Sequence, residues 1–174
     1  TEDERYLFIY VSQGTYGSEI LYKDLTKPDS KLALLFKGFD YEYGVIDNVG
    51  SKILVSTNHG APNNHIVSVD LANYSPDMDM TKNWKVVVPE AKSLLEGATT
   101  AGGKLFLNYL QDVSTHVYQY TYEGVKELEI PLPAIGTAGG FGGYRDDKEV
   151  FFTFTSFTYP PTIYRYDIAT KKAV

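Results

Sequence analysis

The sequence has 174 residues, 43% of them apolar, enough for one folded domain with its own core. Its formal net charge is −6 and its 16 Lys and Arg are scattered, which excludes the clustered cations a nucleic-acid partner needs. There is no cysteine, so disulfides and thiol chemistry are excluded while the compartment, cytoplasm or periplasm, stays open.

The bias lies in residue type: 15 Tyr, 9 Phe and 15 Gly against 2 Met, a composition that suits pleated strands joined by tight turns. No run approaches the roughly 18 apolar residues of a membrane-crossing helix, so no membrane partner is expected. In chain order, an apolar run from Arg5 leads through the polar loop Ser12–Ser18 to a second run ending Leu21-Tyr22-Lys23-Asp24-Leu25, and Leu32–Phe36 reads as a third strand. Tyr41–Asp47 opens the next group, followed by a run from Lys52, the loop Asn58–Asn64, the return Val67-Ser68-Val69-Asp70-Leu71 and the strand Trp84–Val88. Leu94–Thr100 opens a third group, with a run from Lys104, the loop Gln111–Thr115, the divergent return Tyr118-Gln119-Tyr120-Thr121-Tyr122 and Val125–Ile130. A Gly-rich strand ending near Tyr144 opens the last, with a run from Glu149, the loop Ser156–Pro161 and Ile163-Tyr164-Arg165-Tyr166-Asp167-Ile168.

The matching runs start at Arg5, Lys52, Lys104 and Glu149, which lie 47, 52 and 45 residues apart. Four short strands per interval of roughly 45 residues is the signature of a β-propeller blade, a small twisted sheet that is stable only against its neighbours. The predicted fold is therefore all-β, a partial propeller of about four blades over residues 1–39, 40–90, 91–131 and 132–174. Lettered from the axis outward, its strands read B-C-D, A-B-C-D, A-B-C-D, A-B-C: two complete and two incomplete four-stranded antiparallel sheets, an excerpt of a longer chain. Such a segment is expected to expose strand edges and the faces of its end blades, and to self-associate. Asp24, Asp70 and Asp167 each end a return strand, where a carboxylate accepts backbone N–H groups of the following turn.

Motifs that would carry chemistry are missing or incomplete. There is no G-x-S-x-G turn with a helix to follow it. His59, His65 and His116 have no zinc spacing and no cysteine partner, and Asp77-Met78-Asp79 lacks the alternating ligands and glycine of a calcium loop. Gly139-Gly140-Phe141-Gly142-Gly143 lacks the strand-then-helix context of a phosphate cradle and reads as a sharp turn of an inner strand. Asn73-Tyr74-Ser75 matches a glycosylation acceptor, disfavoured by Pro76. No catalytic residue, metal or cofactor is expected in this chain. What remains is the set of four loops joining equivalent strands, expected on one face of the scaffold, where propellers place function.

Three stretches resemble the prolyl oligopeptidase family of serine peptidases. Thr57-Asn58-His59-Gly60-Ala61-Pro62-Asn63 is similar to its T-N-x-x-A-P-N segment, Trp84-Lys85-Val86-Val87-Val88-Pro89-Glu90 to the strand after it, and Phe154-Thr155-Ser156-Phe157-Thr158-Tyr159-Pro160 to its F-T-S-F-x-x-P stretch. The resemblance implies a segment of a seven-bladed propeller that gates an α/β-hydrolase domain outside this chain. That domain would hold the whole Ser-Asp-His triad and cleave short peptides after proline. The implied partners are the chain's own hydrolase domain and an oligopeptide substrate. Some propeller loops line the substrate cavity in this family, which makes Gln13, Thr15, Asn58, His59, Asn63, Asp112, Ser156 and Tyr159 the candidate cavity residues. The first loop, Val11-Ser12-Gln13-Gly14-Thr15, departs from the family in lacking an arginine there. The sequence also admits a stand-alone propeller that serves as a protein-binding scaffold, or the propeller of a sister oligopeptidase with another specificity.

Overall fold

A computed structural model of the chain describes residues 1–75 and 78–174; Pro76, and Asp77 of the acidic run, lie outside the described residues. The described residues form four antiparallel sheets in two compact units, residues 1–90 and 91–174. In the first unit, β1 (Tyr6–Val11), β2 (Glu19–Asp24) and β3 (Ala33–Phe36) make a three-stranded sheet in the order β1-β2-β3. β4 (Tyr43–Val49), β5 (Lys52–Thr57), β6 (His65–Asp70) and β7 (Lys85–Val88) make a four-stranded one in chain order. Single-turn 3-10 helices at Leu71–Asn73 and Met80–Lys82 lie on the connection from β6 to β7. The second unit repeats the plan with β8 (Leu94–Ala101), β9 (Lys104–Gln111), β10 (Ser114–Thr121) and β11 (Lys126–Ile130). Its last sheet is β12 (Thr137–Gly140), β13 (Glu149–Thr155), β14 (Thr162–Asp167) and β15 (Lys172–Ala173). No described helix is long and apolar enough to cross a membrane.

Each unit buries a core between its two sheets. In the first, Tyr6, Ile20, Tyr22, Leu35 and Phe36 of one sheet meet Tyr43, Ile53, Val55, Val67 and Val69 of the other. The ring of Phe36 stacks on Tyr43 with centroids 4.3 Å apart. In the second, Phe106 and Val117 meet Phe141, Val150, Phe152, Phe154 and Tyr166, and Phe141 stacks on Phe152 at 4.5 Å. Each such side chain, fully buried, contributes about 1.5–3 kcal/mol of transfer free energy, so these rings dominate the stability of a small sheet pair. The alternation along β1 is a strand period of two: Tyr6 and Phe8 face the core while Leu7, Ile9 and Val11 are exposed. Phe151 on β13 and Ile163 on β14 are exposed in the same way, so one face of the first sheet and one of the last carry uncovered apolar side chains.

The three aspartates act as strand terminators. Asp24 Oδ1 accepts the Thr26 amide at 3.1 Å, Asp70 Oδ1 the Ala72 amide at 3.1 Å, and Asp167 Oδ1 the Thr170 amide at 2.7 Å. In the divergent third repeat a hydroxyl takes over: Thr121 Oγ1 accepts the amides of Glu123 and Val125 at 3.3 and 3.4 Å.

Three expectations change in detail. The last sheet has a fourth strand, so the described residues make three four-stranded sheets and one of three strands rather than two complete and two incomplete. In the short β15, Lys172 and Ala173 pair with Asp167 and Tyr166, and Val174 exchanges two 2.9 Å backbone bonds with Arg165, too little for a strand signal to show in the sequence. The loop expected at Gln111–Thr115 is a two-residue turn: Gln111 pairs with Ser114, and Asp112 and Val113 have φ of 48° and 62°, the pattern of a type I′ hairpin. The Gly-rich strand ends at Gly140 rather than near Tyr144. Gly140 has φ +114°, where a Cβ would sit 2.7 Å from the Phe151 carbonyl oxygen, and the chain then drops the fully buried Phe141 into the core.

Candidate functional site

The candidate site is carried by the loops that join equivalent strands. In the first unit, Asn58–Asn64 folds on itself through short-range bonds. Thr57 Oγ1 accepts the His59 amide at 3.1 Å and donates to the Glu42 carbonyl at 2.7 Å. The amides of Ala61 and Asn64 donate to the carbonyls of Asn58 and Ala61, at 3.1 and 2.7 Å. Gly60 and Asn64 take left-handed φ of 74° and 66°, residue types that tolerate it, and Ala61 plugs the loop with 1% exposure.

Asn58 ties this loop to its surroundings. Its Oδ1 accepts the Glu42 amide at 2.9 Å, and its Nδ2 donates to the Tyr16 hydroxyl at 2.7 Å, joining the loop to Ser12–Ser18. His59 lies flat on Tyr41, centroids 3.9 Å and planes 7° apart, with Nδ1 2.9 Å from the Tyr43 hydroxyl. Trp84 stands edge-on to His59 at 5.3 Å and to His65 at 5.8 Å. Burial, then Tyr41, Asp79 and Asp40, push the Tyr43 hydroxyl up to about 12, so it is a neutral hydrogen-bonding group and no nucleophile at physiological pH. Two open clefts flank the loops. One of about 460 Å³ is lined by Phe36, Asp40, Tyr41, Tyr43 and His59, and one of about 260 Å³ by Tyr10, Ser12, Thr15, Tyr16 and Glu42.

The structure brings Thr15, Asn58 and His59 into this one region of the first unit. Gln13 is exposed, and Asn63 is held by its amide, which donates to Glu90 Oε1 at 2.6 Å. In the second unit Asp112 forms the tight turn, and Ser156 is a turn residue whose Oγ accepts the amides of Thr158 and Tyr159 at 3.3 and 3.2 Å. Tyr159 packs its ring edge on Phe154, 6.0 Å away. The Thr115 amide donates to the Gly136 carbonyl at 3.0 Å, and Thr137 pairs with Thr155, so the turn and the Ser156–Pro161 loop emerge at the same end of their sheets.

Sequence reasoning missed the aromatic tray of Tyr41, Tyr43 and Trp84; the density of rings on either side of His59 was the signal that could have found it. It also missed a serine-histidine-acid line on the second unit: Ser114 Oγ is 3.4 Å from His116 Nε2, and His116 Nδ1 is 2.7 Å from Glu129 Oε1. Ser114 donates its proton to the Gln111 carbonyl at 2.8 Å and is 8% exposed, so the imidazole is not placed to activate it. Among the described residues, no group of three or more His, Cys, Asp or Glu could hold a metal ion.

A family profile described as the N-terminal beta-propeller domain of prolyl oligopeptidase matches residues 1–174. The chain belongs to this family. A prolyl endopeptidase of Elizabethkingia miricola is 34% identical over 173 residues, which cover 99% of this chain and 24% of that protein. The dual function macrocyclase-peptidase POPB of Amanita bisporigera is 28% identical, covering 96% and 23%. A solved structure from a mechanistic study of two prolyl endopeptidases superposes with a TM-score of 0.89 at 31% identity, over 99% of this chain and 24% of that one. Prolyl oligopeptidase B of Galerina marginata, solved with a 35mer substrate, matches in fold with a TM-score of 0.87 at 23% identity, over 100% of this chain and 25% of that one. The chain thus spans about a quarter of the length of the relatives it matches. Its sheets are blades of the prolyl oligopeptidase propeller, and the catalytic domain of these peptidases is not among them.

Proposed function

We propose that this chain is the gating, size-limiting propeller segment of a prolyl endopeptidase that hydrolyses short proline-containing peptides at a serine outside this chain. The observation that carries the reading is the end-to-end match of residues 1–174 to the propeller domain of prolyl oligopeptidases. The mechanism is steric: paired strands around packed cores give a wall that yields little, so an extended peptide passes where a folded protein does not. The loops around Thr15, Asn58 and His59 in one unit, and around Asp112, Ser156 and Tyr159 in the other, are the surfaces offered to the peptide. Gln13 and Asn63 flank the first of these. Asn58 acts by holding two loops together rather than by touching substrate, because both ends of its amide are already engaged. With hydroxyls at Ser12, Thr15 and Tyr16 in the first loop and no arginine, that loop meets a peptide through neutral hydrogen bonds.

The test is an assay of the protein that joins this chain to its hydrolase domain, with chromogenic peptides carrying proline or arginine before the scissile bond. The assay is repeated on a length series ending in a folded protein. Turnover of short proline peptides alone is expected, and residues 1–174 by themselves should be inert. Preference for arginine, equal cleavage of the folded protein, or turnover by the isolated chain would each overturn the reading.

A further inference from the structure

The loop Asn58–Asn64 is closed at its far end by a histidine that the proposed function does not use. His65 starts β6, pairs with Thr57 across the hairpin, is 8% exposed, and its Nε2 is buried without a hydrogen-bond partner. A buried neutral imidazole with one unpaired nitrogen costs less than a buried imidazolium, which there needs water or a carboxylate. The charged and titratable groups acting on it are few. Glu90, from the segment after β7, favours the charged form, and His59, from the loop itself, opposes it, while its other neighbours Thr57 on β5 and Trp84 before β7 carry no charge. Glu90 is already occupied, since its Oε1 accepts the Asn63 amide at 2.6 Å and so pins the end of the same loop. Both imidazoles stand edge-on to the single tryptophan of the sequence, Trp84.

We propose that Asn58–Asn64 is a proton-operated latch: with His65 neutral the loop is docked, and protonation of His65 draws Glu90 away from the Asn63 amide, admits water and lifts the loop off Tyr16 and Glu42. The near end is held by other bonds: His59 Nδ1 lies 2.9 Å from the Tyr43 hydroxyl, and Asn58 engages Tyr16 and Glu42. Burial, opposed by Glu90 and reinforced by His59, holds the His65 imidazole below its ordinary value of 6.5. The native state therefore binds fewer protons than the open one between the lowered value and 6.5. Docking is complete above about pH 6.5 and weakens as pH falls through the window beneath it. Each pH unit of that window multiplies the open population by about tenfold.

The inference is independent of the peptidase reading, because its readouts are structural. In the full-length protein, hydrogen exchange of the peptide spanning Asn58–Asn64, corrected for intrinsic rate, would be followed from pH 7.5 to 4.5. The emission component abolished by Trp84→Phe would be followed in parallel. Protection of the loop and the Trp84 signal should fall together below pH 6.5, and His65→Phe, which keeps a ring against Trp84 but cannot take a proton, should flatten both. A flat titration of the unaltered protein, or an unchanged titration in His65→Phe, overturns the latch. Should that variant fail to fold, Glu90→Gln decides. It keeps an acceptor for the Asn63 amide and removes the charge that favours protonation, so the midpoint moves to lower pH; an unmoved or higher midpoint overturns the latch.

Discussion

Removing one hydroxyl from the second unit should cost more than its size suggests. Tyr166 on β14, fully buried, donates to Gln119 Oε1 on β10 at 2.9 Å. Gln119, also fully buried, donates through Nε2 to Glu127 Oε2 at 2.7 Å, and Lys104 donates to the other oxygen of Glu127 at 2.7 Å. This line of bonds crosses the core between the two sheets of that unit. Burial, then Glu127 and Asp167, push the Tyr166 hydroxyl up to about 12, so it stays a donor throughout the physiological range. Burial of Glu127 works against its charge, but the bonds from Lys104 and Gln119 outweigh it and hold the carboxyl below its ordinary value. Tyr166→Phe keeps the ring against Phe106 and leaves Gln119 Oε1 as a buried acceptor with no donor, a loss of about 1–3 kcal/mol. For a chain of this length about 2 kcal/mol corresponds to a Tm drop of roughly 4–8 °C. Gln119→Leu added to that variant removes the orphaned acceptor, and Glu127, 20% exposed, keeps Lys104. The double variant should therefore be destabilised by at least about 1 kcal/mol less than the sum of the singles. Urea midpoints at unchanged slope measure all three. A Tyr166→Phe unfolding free energy within about 0.5 kcal/mol of the parent, or strictly additive costs, would refute the reasoning.

Three further outcomes follow from local geometry. Val113 sits at φ 62° with 92% exposure, a left-handed β-branched residue with nothing to bury, so Val113→Gly should raise the unfolding free energy by roughly 1 kcal/mol; a lower urea midpoint would show that the turn is unstrained. Gly17 has φ +73° and an added Cβ would overlap the Phe39 carbonyl, so Gly17→Ala should cost about 2 kcal/mol or more and raise hydrogen exchange in Ser12–Ser18, whereas a neutral effect would put that backbone elsewhere. The Thr26 hydroxyl and amide, against burial, hold the Asp24 carboxyl below its ordinary value. Its contribution is therefore present above about pH 3.9 and lost as pH falls through the lowered native value. Asp24→Asn should flatten the acid limb of a pH series of urea midpoints, and an unchanged limb would remove Asp24 from the account.

The sheet plan was legible because a half-buried strand advertises itself by alternation and by its punctuation. Tyr6 and Phe8 against Leu7 and Ile9, and the aspartates at the ends of β2, β6 and β14, are local features that need no distant partner to be read. The loop around Asn58 was legible for the same reason, since Thr57, Gly60, Ala61 and Asn64 build it from short-range bonds and turn conformations. Strand ends that depend on tertiary neighbours were not. β12 ends where the backbone turns through the positive φ of Gly140 and Phe141, with room only for glycine beside the Phe151 carbonyl, and β15 exists because the last few residues find the edge of β14.

Pattern and spacing by themselves thus determined that this chain folds as recurring sheets of three or four short strands with their turns and loops at equivalent positions, because side-chain period and turn chemistry are properties of adjacent residues. Only the tertiary structure decided which of those loops meet. Asn58 reaches Tyr16 from 42 positions away, Tyr43 faces His59 from 16, and Tyr166 reaches Gln119 from 47. Such contacts are set by how one sheet lies on the next, and no window along the sequence contains both partners.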